Sequence, residues 1–274
     1  MGEEYDSAVS RHYAGPDLAD RITLALSQAG MDEGPLAPDD LAPLDQFHTR
    51  GRAATLELAQ LAQLRPGIQV LDIGGGIGGP ARTLAAEYRC RVTVLDITDA
   101  YCRVGEMLTL RTGLDDLVRF RRGNALHAPF ADQSFDLVWM QHANMNIDDK
   151  ERLYAEAHRV LRRGGRLAIH EIAAATETPV HFPVPWASEP GISFLRPVAW
   201  LQAAIEAAGF ECLAFRDGTD AALAWFRERV GAGGEPPPLG LHLLLGGSFR
   251  PAFQNLLRNL EEQRLAVIAA VYRK

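Results

Sequence analysis

The chain has 274 residues, 47% hydrophobic and 23% charged, an ordinary balance for a protein that folds around a buried core. Its formal net charge is −7 and it has no dense Lys/Arg run, which argues against a nucleic-acid partner. Three widely spaced cysteines, Cys90, Cys102 and Cys212, match no zinc pattern and give no complete disulfide set; they read as free thiols in a reducing, cytoplasmic setting.

The start, Met1–Asp6, is polar and acidic and does not read as a signal peptide, and no apolar run reaches membrane-spanning length. Residues 8–64 read as helical: Leu18, Ile22, Leu26 and Ala29 recur at helical spacing, as do Leu56, Leu58, Leu61 and Leu64 more loosely. Gly34-Pro35-Leu36-Ala37-Pro38 separates the two stretches. Within this region Asp45 is placed to cap a helix, His48 reads equally as a pocket or a packing residue, and Tyr13 is a candidate lid residue.

Arg65-Pro66-Gly67 is a turn, and an apolar strand over 68–73 follows it. That strand ends in Asp72 and the cluster Gly74-Gly75-Gly76-Ile77-Gly78-Gly79, and a helix over 79–88 begins at once, with Pro80 in its first turn. Glycine accepts positive φ and lets a ligand approach the bare backbone, while the helix start offers unpaired N–H groups. Gly74, Gly76 and Gly79 satisfy the dinucleotide spacing G-x-G-x-x-G. Asp72 argues against that ligand, because a carboxylate beside the turn repels a pyrophosphate and suits a cation; its plainer reading is an Asx turn. The next strand, 91–96, ends in Asp96, an acid able to accept both hydroxyls of a ribose.

A helix over 99–112 leads to a strand at 117–122 and the phrase Gly123-Asn124-Ala125. The strand 135–140 delivers Gln141, His142, Asn144, Met145 and Asn146 to the same sheet edge. A neutral imidazole at His142 is suited to taking a proton near neutral pH; its plainer role is a structural histidine. A helix over 148–162 is read as ending at Arg163-Gly164-Gly165 before a strand at 166–172. In that strand His170 and Glu171 are neighbours, so they point to opposite faces and lack the convergence a metal site needs; no metal is expected. The long connection 173–195 carries Phe182 and Trp186 in a stiff, proline-rich stretch that reads as a lid or pocket wall. A helix at 197–208, a strand at 209–215, a helix at 219–230, a Gly/Pro-rich connector at 231–240, a helix at 251–262 and a strand at 265–272 complete the chain.

With these phrases in view, the chain resembles the class I S-adenosylmethionine-dependent methyltransferases, and within them the sarcosine/dimethylglycine methyltransferase-like small-molecule group. The resemblance rests on 45–52 (Asp-Gln-Phe-His-Thr-Arg-Gly-Arg), the glycine motif, 123–125, 141–147 and Pro183-Val184-Pro185-Trp186, and spans roughly 9 to 215. It implies an α/β fold: a Rossmann-like, seven-stranded, mostly parallel sheet with helices on both faces. It also implies an N-terminal helical cap over 1–64 and a catalytic domain over 65–274, with a lid at 173–195 and the last strand antiparallel beside the edge.

The resemblance further implies S-adenosylmethionine as cofactor, leaving as S-adenosylhomocysteine. Gly74, Gly76 and Gly78 would hold its amino-acid end, Asp96 its ribose, and Asn124 with the adjacent backbone at Ala125 its adenine; Gln46, His48, Asp72, Ile97 and Gln141 would also contact it. Tyr13, His142, Asn144, Asn146, Phe182 and Trp186 would meet the acceptor, with His142 the catalytic candidate. The expected reaction is methyl transfer to a small molecule, by preference an amine nitrogen. Oxygen or carbon methylation in specialised metabolism, or a non-methylating cyclase that binds the same cofactor, are the alternatives. No membrane partner is expected, and a homo-oligomer is compatible with the sequence.

Overall fold

In a computed structural model that describes residues 17–32, 34–231 and 237–274, the alternating apolar runs become seven strands linked by helices. Helices α1 (Leu18–Gln28), α2 (Pro38–Asp45) and α3 (Gly51–Leu61) precede strand β1 (Gln69–Ile73). There follow α4 (Gly79–Tyr88), β2 (Arg91–Asp96), α5 (Asp99–Arg111), β3 (Val118–Arg122), β4 (Phe135–Gln141), α6 (Lys150–Val160) and β5 (Leu161–Ala174). The chain ends with α7 (Val198–Ala207), β6 (Glu211–Asp217), α8 (Thr219–Gly231), the short α9 (His242–Leu245), α10 (Phe249–Glu261) and β7 (Leu265–Arg273).

The strand order is β3-β2-β1-β4-β5-β7-β6. Strands β1 to β5 run parallel to their neighbours, and β7 inserts antiparallel between β5 and β6. The order reverses between β1 and β4, so connections leave on opposite faces there and open a crevice at the strands' carboxyl ends. Alternation along the central strands feeds two cores. Leu71, Ile73, Val138 and Met140 pack with Leu153 and Ala157 of α6. Val70, Leu137 and Trp139 pack with Leu58 and Ala59 of α3 and Leu84 of α4. Burial on both faces explains why these strands read as continuous apolar runs. Helices α1 and α2 lie over the glycine turn, with Leu18, Ile22, Leu41 and Leu44 against Ile77, Tyr101, Val104 and Leu108.

Three boundaries differ from the sequence reading. Arg163-Gly164-Gly165 does not end α6; the helix stops at Val160 and β5 begins at Leu161. The pairing with β4 jumps from Phe135–Leu161 to Leu137–Arg166, so these residues form an irregularity inside the strand. Gly164 takes φ +73° there. Strand β6 lies two residues later than expected, and α9 was not anticipated beyond the connector. Cys90, Cys102 and Cys212 are free thiols. Among the described residues no helix is long and apolar enough to cross a membrane.

Candidate active site

The glycine turn is built from close approaches. Gly74, Gly76 and Gly78 have φ of +67°, +58° and +84°, in the left-handed region that side chains disfavour. A Cβ at Gly74 would lie 2.6 Å from the Ala143 Cβ, and one at Gly78 2.5 Å from Phe120 Cζ. The turn therefore packs directly against the segment that follows β4. The Gly76 N–H donates to Asp96 Oδ2 at 2.9 Å, and the Thr98 N–H donates to Asp96 Oδ1 at 2.8 Å.

Asp72 and Asp96 are both buried at this crevice. Burial, with Asp96 nearby, pushes the Asp72 carboxyl well above its usual range. Burial raises Asp96 too, opposed by the N–H groups it accepts. Asp72 Oδ2 has no hydrogen-bond partner among the described residues. An orphaned buried carboxylate oxygen suits a cationic ligand, whose charge would favour ionisation of both acids. Gln141 complements it. Its Oε1 accepts from Trp139 Nε1–H at 2.9 Å and Thr55 Oγ1–H at 3.1 Å, and its buried Nε2 has no partner among the described residues. A ligand with both an ammonium and a carboxylate fits Asp72 and Gln141 together, which is the amino-acid end of S-adenosylmethionine. Asp96, Ile97, Asn124 and Ala125 continue along the same cleft, towards where a ribose and an adenine would lie.

Beyond Gln141 the chain turns sharply at His142, which sits at φ +52° with its N–H donating to the His170 carbonyl at 2.9 Å. Thr49 Oγ1 lies 3.3 Å from His142 Nε2 and 3.4 Å from His170 Nε2. His48 completes the cluster, its Nε2 2.9 Å from the Gly51 carbonyl and 3.1 Å from Thr55 Oγ1. All three rings are buried and neutral at physiological pH. Burial lowers His48 to about 4; burial, then His48, lowers His170 to about 3. Burial, then His170 and His48, holds His142 well below the usual imidazole value.

His48, Phe47 and His142 line the cofactor cleft and also a second chamber. The chamber's other walls are Thr49, Met145, Ile172, Pro185, Trp186, Phe226, Leu241, Phe253 and Leu256. Among the described residues its polar side chains are His48, Thr49 and His142, besides the Trp186 indole N–H, which is turned to Ser193 Oγ at 3.0 Å.

A buried scaffold holds this edge. Asn146 Nδ2 donates to the carbonyls of Trp186 and Ile192, both at 2.8 Å, fastening the 173–195 connection to the segment after β4. Glu171, on the opposite face from His170, accepts from the N–H groups of Ala143 and Asn144 at 3.3–3.4 Å. Burial pushes Glu171 up to about 8. Lys150 Nζ donates to the Asn144 and Ile147 carbonyls, both at 2.7 Å. Among the described residues no group of three or more His, Cys, Asp or Glu is placed to hold a metal ion.

His48, Asp72, Gly74, Gly76, Asp96, Ile97, Asn124, Ala125, Gln141, His142 and Asn146 come together in the cleft, and Trp186 joins His142 in the chamber. Four others do not. Gln46 is turned away, its amide bonded to Thr83 and Thr55. Gly78 serves the turn, backing onto Phe120. Asn144 points into the interior, its Nδ2 3.4 Å from Tyr154 Oη. Phe182 packs with the cluster around Val184 and Leu256 outside the chamber wall. Tyr13 lies outside the described residues. Asp45 ends α2 rather than capping a start, and its Oδ2 accepts from Arg82 Nη2 at 2.8 Å. Sequence reasoning missed Arg82, Thr49, the approach of His170 to His142, and the α8 and α10 walls. A signal existed for His170 alone: it ends an apolar run as His142 follows one, and adjacent parallel strands bring such ends together.

A family model described as a methyltransferase domain matches residues 71–169. Methyltransferase GfsG of Streptomyces halstedii is 34% identical over 133 residues, 48% of each chain, so the match spans about half that relative's length. Sarcosine/dimethylglycine N-methyltransferase of Halorhodospira halochloris is 29% identical over 223 residues, 80% of this chain and 79% of the relative. The solved structure of the 4+2 cyclase SpnF aligns with a TM-score of 0.65 at 21% identity, covering 94% of both chains, and shows the shared fold.

Proposed function

Because the chain belongs to the class I S-adenosylmethionine-dependent methyltransferases, we propose that it methylates a small, largely apolar acceptor through a hydroxyl group presented to His142. The observation that carries this reading is the position of His142, which lines the cofactor cleft on one side and the apolar chamber on the other. When bound, S-adenosylmethionine supplies an activated methyl on a sulfonium, open to in-line displacement. The protein's own work is alignment in a dry site and management of one proton.

Asp72 and Gln141 would hold the amino-acid end of the cofactor and Asp96 its ribose. His142, kept neutral by burial, would accept the hydroxyl proton as the new C–O bond forms. Charge balances in this step: one positive charge leaves sulfur and one appears on the imidazole. A cation at His142 is tolerable only as the sulfonium charge disappears, which couples proton removal to methyl transfer. An amine, the acceptor favoured by the sequence resemblance, would have to enter as the free base, because no carboxylate among the described residues lines the chamber to take its proton.

The test is transfer of label from methyl-labelled S-adenosylmethionine to a panel of apolar alcohols and phenols, with matched amines as the second arm. Labelled ethers, lost in His142→Ala, are expected. Labelled amines alone would replace the oxygen reading by the nitrogen one. Cofactor binding with no labelled product across a broad panel would favour a non-methylating enzyme of this fold.

A further inference from the structure

A second recess opens on the far side of the chamber, and Phe226, Leu241 and Phe253 line both spaces. Its charged lining residues are Arg50, Arg52, Arg229, Arg250 and Asp39. Among the described residues four arginines and one aspartate line this mouth, on a chain whose net charge is −7. Arg50 pairs with Glu57, and Arg52 with Asp39 at 2.6 Å and Glu87 at 2.5 Å. Arg229 differs. It is exposed, has no carboxylate within ion-pair distance among the described residues, and holds its guanidinium 4.4 Å from the centroid of the Trp225 ring.

A guanidinium held over an indole face keeps N–H donors for an oxyanion, which the planar fork can receive in a bidentate manner. Helix α8 links this guanidinium to the chamber, since Phe226, next to Trp225 and one turn before Arg229, is 1% exposed and forms the chamber wall. We propose that the acceptor carries an oxyanion, which Arg229 holds over Trp225 while the apolar body occupies the chamber. This inference rests on the reading of the chamber as the acceptor site and adds the charge of the molecule that enters it.

Two dyes of like body separate the idea from simple hydrophobic binding: 1-anilinonaphthalene-8-sulfonate, which carries an oxyanion, and neutral N-phenyl-1-naphthylamine. Each is titrated by fluorescence into the full chain saturated with S-adenosylhomocysteine. The anionic dye is expected to bind at least about tenfold tighter, an advantage that added salt erodes. Arg229→Gln should remove about tenfold of that affinity, leaving the neutral dye and S-adenosylhomocysteine within about twofold of wild type. Arg229→Lys should keep part of the advantage, because it retains the charge and loses the fork. Arg216→Gln, on the exposed face of β6, should change nothing. Equal affinity for the two dyes, an unaltered advantage in Arg229→Gln, equal losses of both dyes, or the same loss in Arg216→Gln would each overturn the proposal. Failure of the methyltransferase reading would show separately, as absent S-adenosylhomocysteine binding on the same sample.

Discussion

The Gly76 N–H donates to Asp96 Oδ2 at 2.9 Å, locking the carboxylate that ends β2 onto the turn that follows β1. The turn thus holds Asp96 in place, and its hydrogen bonds to a ribose diol would be charge-assisted. Asp96→Asn keeps the shape and loses the charge. It should weaken S-adenosylhomocysteine binding by about ten- to a hundredfold, the worth of one or two such bonds, as read by calorimetry. Unchanged affinity would remove the ribose from Asp96.

Gly74 ties the glycine turn to the segment that follows β4. Gly74→Ala must carry a side chain at φ +67° and push on Ala143, whose neighbour is His142. The left-handed backbone alone costs about 1–2 kcal/mol. Adding Ala143→Gly should relieve the contact and restore turnover towards that of Ala143→Gly alone, while the backbone cost persists in urea denaturation. Full recovery of stability in the double variant would show that φ was not the constraint.

Arg82 is the buried tie between the N-terminal helices and the cleft. Its Nη2 donates at 2.8 Å to both Asp45 Oδ2 and the Ile77 carbonyl, and its Nη1 donates to Thr109 Oγ1 at 3.0 Å. Arg82→Met strands a buried carboxylate and should cost about 3–5 kcal/mol in urea denaturation. Asp45→Leu combined with Arg82→Met removes both charges and should recover part of that loss. A double variant no more stable than Arg82→Met would show that the stranded charge is not the main cost.

The histidine cluster sets a pH window. Burial lowers the folded-state value of His170 from 6.5 to about 3, so the unfolded chain binds the extra proton between these limits. The stability this gives is fully present above pH 6.5 and is lost as pH falls through that range. Wild type should therefore lose stability relative to His170→Gln between pH 7 and 5, read from the difference in urea midpoints. A constant difference would mean that His170 titrates normally. Turnover should show no acid limb from His142 between pH 8 and 6.5, since that ring is already neutral there.

Much of the cleft was legible because it is local in sequence. Asp72 and the glycines follow one strand, Asp96 ends the next, and Gln141 and His142 follow a third; parallel strands align such ends without any knowledge of packing. The chamber was not legible for the opposite reason. Thr49 reaches His170 across 121 positions, and Phe226, Leu241 and Phe253 arrive from late elements whose apolar residues look like any helix face. Gln46 was misplaced because its neighbours His48 and Phe47 do face the cleft, whereas its own amide is held by Thr83 and Thr55. The start of β5 was misread because glycine after a helix usually ends it, whereas here Gly164 sits inside an irregular strand.

The central claim is that the crevice beside Asp72 and Asp96 receives S-adenosylmethionine. Calorimetric titration of the purified chain with S-adenosylmethionine, S-adenosylhomocysteine and NAD, repeated on Asp72→Asn, tests it most directly. Binding of the first two is expected, none of NAD, and in Asp72→Asn a larger loss for S-adenosylmethionine, which adds a sulfonium to the ammonium, than for its product. Binding of NAD alone, or no binding of either sulfur compound by folded protein, would contradict it.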